Sequence, residues 1–191
     1  MFALDSDFSA FYKATRKEPK LRHAGKLARG RLLRSPTLFE DVVKTILTTN
    51  TLWGATKRMT ANLINLFGEP LTVTGKKSGG GRVAPNDSEG RIETTETKRA
   101  FPTPQAIAAS TPEVLKEKVR VGYRAPAIHA LAARVASGEF DLEALKSSSQ
   151  HTLELRKELL KINGVGPYAA ANLLLILGRS DFAAHPAYQT K

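Results

Sequence analysis

The sequence predicts an all-α fold: a compact array of short helices joined by turns of a few residues. Three observations carry that expectation. Apolar residues recur at i, i+3, i+4 and i+7 in one segment after another. Threonine or aspartate, often followed by proline, stands where those segments begin. No convincing run of alternating apolar and polar residues appears.

Taken in chain order, residues 1–34 form a basic N-terminal segment. Its stretch 13–34 holds nine Lys/Arg and one Glu, read as solvated surface or as an arm facing DNA. A first helix follows, with Phe39, Val42, Val43, Ile46 and Leu47 on one face and a capping-box pair, Thr37 and Glu40, at its start. A second carries Leu52, Met59, Leu63 and Phe67 and stops at Gly68. Residues 74–99 are rich in Gly, Ser, Thr and charge and read as a flexible insertion. Thr103–Pro104 and Thr111–Pro112 open two short helices as N-cap and N1. Ile128, Leu131, Ala132 and Val135 define another, ended by Gly138, and Asp141 caps a short one after it. "TLELRKELLKI" and "PYAAANLLLILG" complete the set, so residues 35–182 read as one helical domain and 183–191 as an atypical tail.

Composition narrows the function. Lys and Arg number 29 against 18 Asp and Glu, a formal charge of +11. Such a balance favours a polyanion such as nucleic acid, or an acidic membrane face, as partner over a merely soluble basic protein. With no cysteine in the chain, a disulfide, a thiolate nucleophile, a Cys-rich zinc site and an iron–sulfur cluster are excluded. No apolar run reaches the ~18 residues of a membrane span. The N-terminus lacks the apolar core of a secretory signal. A monomer working beside DNA is expected: cytoplasm and nucleoid in a bacterium, the nucleus in a eukaryote.

The most informative local feature is "INGVGP", Ile162–Pro167. Gly164 and Gly166 permit positive φ and close approach, and Pro167 suits the first position of a helix. That helix begins with unpaired N–H groups beside Asn163, Gly164, Val165 and Gly166, an anion site fitted to a phosphate oxygen. An ordinary tight turn between packed helices has the same spacing.

"LLKINGVGPYAAANLLLILGRSDF" resembles the helix-hairpin-helix of the DNA glycosylase superfamily that includes endonuclease III, the 3-methyladenine glycosylases and the 8-oxoguanine glycosylases. "SPTLFEDVVKTILTTNTLWGATKRMTANLINLFG", "AFPTPQAIA" and "VGYRAPAIHALAARV" resemble further segments of its 8-oxoguanine branch, in the same order. The resemblance implies that Asn50 enters the gap left by an extruded base; a polar helix cap is the local alternative. It places Tyr123 and Arg124 along the approach to DNA, against a reading as a core-edge aromatic and a surface charge. It implies no organic cofactor; the family hairpin often holds a monovalent cation on backbone carbonyls near Ile162 and Val165.

The same resemblance expects a catalytic aspartate near position 186, in a pattern like Val-Pro-Val-Asp, and this chain has Pro186. Bifunctional members carry a Schiff-base lysine where Tyr168 stands here. Asp181 is the one nearby acid and also suits a helix-end cap, while His185 reads as a tail residue. The departure at 183 and the stop at Lys191 together suggest a C-terminally truncated product. The expected function is therefore that of a base-excision repair N-glycosylase, flipping and hydrolytically releasing a damaged or mispaired base from duplex DNA, inactive in this form if the aspartate is required. The alternative is a non-catalytic duplex-DNA-binding helix-hairpin-helix protein.

Overall fold

The computed structural model describes residues 7–72 and 97–179. In chain order these form α1 (Ser9–Thr15), α2 (Leu38–Thr48), α3 (Trp53–Phe67), β1 (Pro70–Thr72), β2 (Thr97–Arg99), α4 (Pro104–Ala108), α5 (Pro112–Val114), α6 (Ala125–Ala136), α7 (Thr152–Leu160) and α8 (Pro167–Ile176). A π-helical turn, Leu115–Val119, continues α5, and two 3₁₀ turns, Gly122–Arg124 and Glu143–Ser147, precede α6 and α7. The all-α expectation holds, with two corrections. Residues 97–99 of the expected 74–99 insertion are a strand: they pair antiparallel with β1 in the register Pro70–Arg99, Leu71–Lys98, Thr72–Thr97. Each strand is three residues long, too short for an alternating pattern to show. The basic N-terminal segment also contains a helix, α1, whose Phe8, Phe11 and Tyr12 rings cluster with centroids 5.5–6.1 Å apart. The remainder of the insertion lies outside the described residues.

The helices sit where local chemistry starts them. Thr37, Thr103 and Thr111 each accept a hydrogen bond from the amide three residues on, at 3.2, 3.2 and 3.5 Å. Asp141 accepts from the Ala144 amide at 3.1 Å. Half of the expected capping box at α2 is present; Glu40 turns to Lys44 instead. α2 and α8 lie at the centre. α2 buries Leu38, Phe39, Val42, Val43, Ile46 and Leu47, and α8 buries Ala169, Ala170, Leu173 and Leu174. α8 packs on α7 and α2, α3 on α2 and the π turn, and α6 on α4, closing one continuous apolar core.

One cap reaches across the fold. The Glu143 carboxylate accepts the amides of Leu38 and Phe39, at 2.7 and 3.1 Å, and pairs with Lys146 at 2.7 Å. A carboxylate at a helix N-terminus satisfies orphan donors and meets the positive end of the helix dipole. Partial burial pushes its pKa up, but the Lys146 ammonium and the two amides outweigh this and leave it lowered. The folded value thus lies below the unfolded one. The stabilisation is complete above the ordinary carboxylate range and fades as pH falls through the lowered value. Glu143→Gln should therefore cost about 1–2 kcal/mol near neutral pH. In urea melts from pH 7 to pH 3, the gap between variant and parent should close at the acid end.

Candidate nucleic-acid interface

Gly164 and Gly166 do different jobs in the hairpin between α7 and α8. Gly164 has φ +85°. A Cβ there would lie 3.1 Å from the Ala127 Cβ and 3.4 Å from the Ile46 Cγ2. Its turn is pressed into the notch between α6 and α2, so glycine is required twice over, by conformation and by space. The Val165 amide closes the turn on the Ile162 carbonyl at 3.0 Å, and both side chains are buried. Gly166 is the N-cap of α8 at φ −88°, ψ −176°, backbone that any residue adopts, and a Cβ there would meet nothing within 4 Å. Nothing in the fold asks for glycine at 166. No side chain caps α8, and Pro167 has no amide proton, so the first amides of the helix are left for an external acceptor.

Opposite the hairpin, α2 ends at Thr48, Thr49 is its C-cap, and the chain turns sharply through Asn50, φ 46°. Asparagine tolerates this left-handed conformation better than most residues. The Asn50 side-chain amide donates to the Tyr123 hydroxyl at 3.5 Å. Hydrogen bonds from Thr49 and Asn50, with the Arg124 guanidinium adding to them, draw the exposed Tyr123 phenol below its ordinary pKa. The sequence assigns Arg124 to the DNA side, but the structure turns its guanidinium inward. Arg124 is only 7% exposed. Nε donates to the Ile46 carbonyl at 3.2 Å, one Nη to Val121 at 3.4 Å and the other to Thr49. The guanidinium also lies 4.5 Å from the Tyr123 ring centre. Arg124 closes the C-terminus of α2 and so props up the Asn50 turn.

These parts meet in one groove of about 740 Å³, lined by residues 48–51, Tyr123 and residues 164–169. Asn50, Gly164, Val165, Gly166 and Tyr168 are thereby brought together. Asn163 is exposed on the same turn but does not line the groove. Tyr168 is 69% exposed, its ring projecting from the first turn of α8. Asp181, His185 and Pro186 lie outside the described residues. Sequence reasoning missed Leu52 and Trp53, 83% and 68% exposed, which follow Asn50 after one intervening residue, Thr51. In the sequence Leu52 reads as part of the buried face of α3, whereas it is the N-cap residue preceding that helix.

The fold has counterparts among solved structures. The protein in the structure of MBOgg1 with a low-affinity DNA ligand superposes with a TM-score of 0.70 and 31% identity, over 94% of this chain and 55% of that one. The chain is similar in sequence and fold to DNA glycosylases. The Clostridium acetobutylicum 8-oxoguanine glycosylase/lyase, solved with double-stranded DNA carrying cytosine opposite 8-oxoguanine, matches with a TM-score of 0.69 and 26% identity, over 93% of this chain and 54% of its own. The DNA-3-methyladenine glycosylase of Bacillus subtilis (strain 168) is 26% identical over 175 residues, 91% of this chain and 50% of that protein. The chain thus spans about half the length of the relatives it matches. No family model matches.

Proposed function

We propose that this chain is the duplex-gripping, base-flipping core of a DNA N-glycosylase of base-excision repair, hydrolytic in type. The observation that carries the reading is the convergence of Asn50, Tyr123, the uncapped start of α8 and Tyr168 on one groove. In this reading the Gly166 side of the groove takes a backbone phosphate of the strand to be repaired. Asn50 and exposed Leu52 then fill the gap left by the flipped nucleotide, which lowers the cost of unstacking it. Relatives whose names specify 8-oxoguanine or 3-methyladenine support base release as the reaction class. The protein would act as a monomer, in whichever compartment holds the DNA. Among the described residues no helix is long and apolar enough to cross a membrane. A monovalent cation on the hairpin carbonyls belongs to the same proposal: the Ile162 oxygen accepts only the Val165 amide in that turn, and a carbonyl has a second lone pair.

Pro186, where the resemblance expects aspartate, favours a second reading in which binding survives and turnover does not. Loss of base builds positive charge on the sugar, and an absent carboxylate would remove about 10²–10⁴ of rate. The test uses duplex oligonucleotides carrying oxidised or alkylated bases. Binding should be readily measured, base release should fall far below that of a longer relative, and borohydride should trap no adduct, since the Tyr168 phenol cannot form an imine. A trapped imine would defeat the hydrolytic assignment. Turnover abolished by Asp181→Asn would make that residue the acting carboxylate.

A further inference from the structure

A second groove of about 640 Å³ lies between α3, the π turn and the 3₁₀ turn that follows it, bordering the first at Thr51. The two grooves share Thr51, with Asn50 and Tyr123 lining one, Gly122 and Arg124 the other. Arg58, Lys118 and Arg120 line the second groove, all exposed, and no carboxylate does. Among the described residues the ion pairs lie elsewhere, and none includes these three cations. The wall is fixed: the Asn62 side-chain amide donates to the Val119 carbonyl at 3.1 Å and ties the π turn to α3. Arg120 sits at φ +65°, left-handed backbone that disfavours a residue with a Cβ, and strain of this kind gathers at functional sites.

Three cations around one groove without a carboxylate repel one another until a polyanion neutralises them. Two adjoining grooves, one offering the free amides of α8 and the other three exposed cations, match the two backbones that flank a groove of duplex DNA. We infer that Arg58, Lys118 and Arg120 form a second phosphodiester track, holding the strand opposite the one gripped by the hairpin. This rests on the hairpin groove being the contact for the first strand. Phosphate contacts of this kind position the duplex and read no sequence.

The test compares the full chain with the variant Arg58→Ala/Lys118→Ala/Arg120→Gly, and with an equal-charge control, Arg134→Ala/Lys146→Ala/Lys157→Ala. Each is titrated by fluorescence anisotropy against a duplex and against its single strand at several salt concentrations. The groove variant should lose about tenfold or more in duplex affinity, with a salt slope shallower by about 2–3. Its loss on the single strand should stay under about threefold, as should the loss of the control on either DNA. Arg120→Gly alone relieves the left-handed backbone, so it should melt no lower than the parent and still bind the duplex more weakly. An unchanged duplex affinity and slope in the folded groove variant overturns the track. So does an equal loss on duplex and single strand. If Gly166→Asp abolishes binding while the groove variant binds normally, the hairpin reading stands and the track falls. If neither substitution matters, both fall.

Discussion

Gly166→Asp is expected to leave the fold as stable as before, or slightly more stable, and to raise the Kd for duplex DNA by about 100-fold or more. The two effects have opposite signs because position 166 is free on the protein side. Its backbone is extended and a side chain meets nothing within 4 Å. Aspartate is among the best N-cap residues and would accept an amide from the first turn of α8, adding a few tenths of a kcal/mol over glycine. The cap takes the same donors that a phosphate would, and it brings a negative charge to the place where the phosphate charge must sit. Two lost charge-assisted hydrogen bonds cost about 1.5–3 kcal/mol each, before any repulsion. A thermal melt beside an anisotropy titration measures both. Intact binding by this variant would mean that the start of α8 takes no phosphate. Gly164 makes the contrasting control. A valine there must hold φ near +85° against Ala127 and Ile46, at a cost of about 2–4 kcal/mol in folding, so weaker binding would only report a weaker fold.

Arg124→Met should lower stability by about 2–3 kcal/mol from a total on the order of 5–15. Methionine keeps much of the packing and removes the donors. The Thr49 carbonyl then loses its partner, at a cost of about 1–3 kcal/mol, while the Ile46 carbonyl keeps the Thr49 amide and hydroxyl and the Val121 carbonyl keeps the backbone amide of residue 124. Arg124→Lys should recover only a fraction, because one ammonium cannot reproduce a planar fork aimed at three acceptors. At temperatures where the variant is still folded, DNA affinity should also drop, since the same guanidinium supports the turn that presents Asn50. Urea melts give the first effect and titration at low temperature the second. A variant as stable as the parent would show that the Thr49 carbonyl finds another partner.

The legible parts of this fold were those written over a few consecutive residues. Thr37, Thr103, Thr111 and Asp141 announce helix starts because a cap and its amide lie three residues apart. The hairpin is legible for the same reason, since Gly164, Gly166 and Pro167 impose backbone geometry wherever they stand. What stayed hidden depends on partners distant in sequence. Glu143 serves the amides of Leu38 and Phe39 more than a hundred positions away. Arg124 reads as a surface charge because arginine is rarely buried, and only the packed α2 terminus reveals three carbonyls waiting for it. The basic groove was illegible in the same way: Arg58 and the pair Lys118 and Arg120 are neighbours through the packing of α3 on the π turn. The division of labour between the two hairpin glycines also needed coordinates, since spacing alone gives them equal weight.

The clasp of β1 on β2 has a practical meaning. Because Thr72 pairs directly with Thr97, whatever sequence runs between them leaves and re-enters the molecule at a single point, on short strands attached to the end of α3. Closing a chain across such a point depends only weakly on its length; going from a long loop to a tight turn changes the closure entropy by about 1–2 kcal/mol. The site therefore behaves as a port. A guest sequence, a fluorophore peptide or a whole domain with adjacent termini can be spliced in there, and the helices that carry the two grooves need not move to receive it.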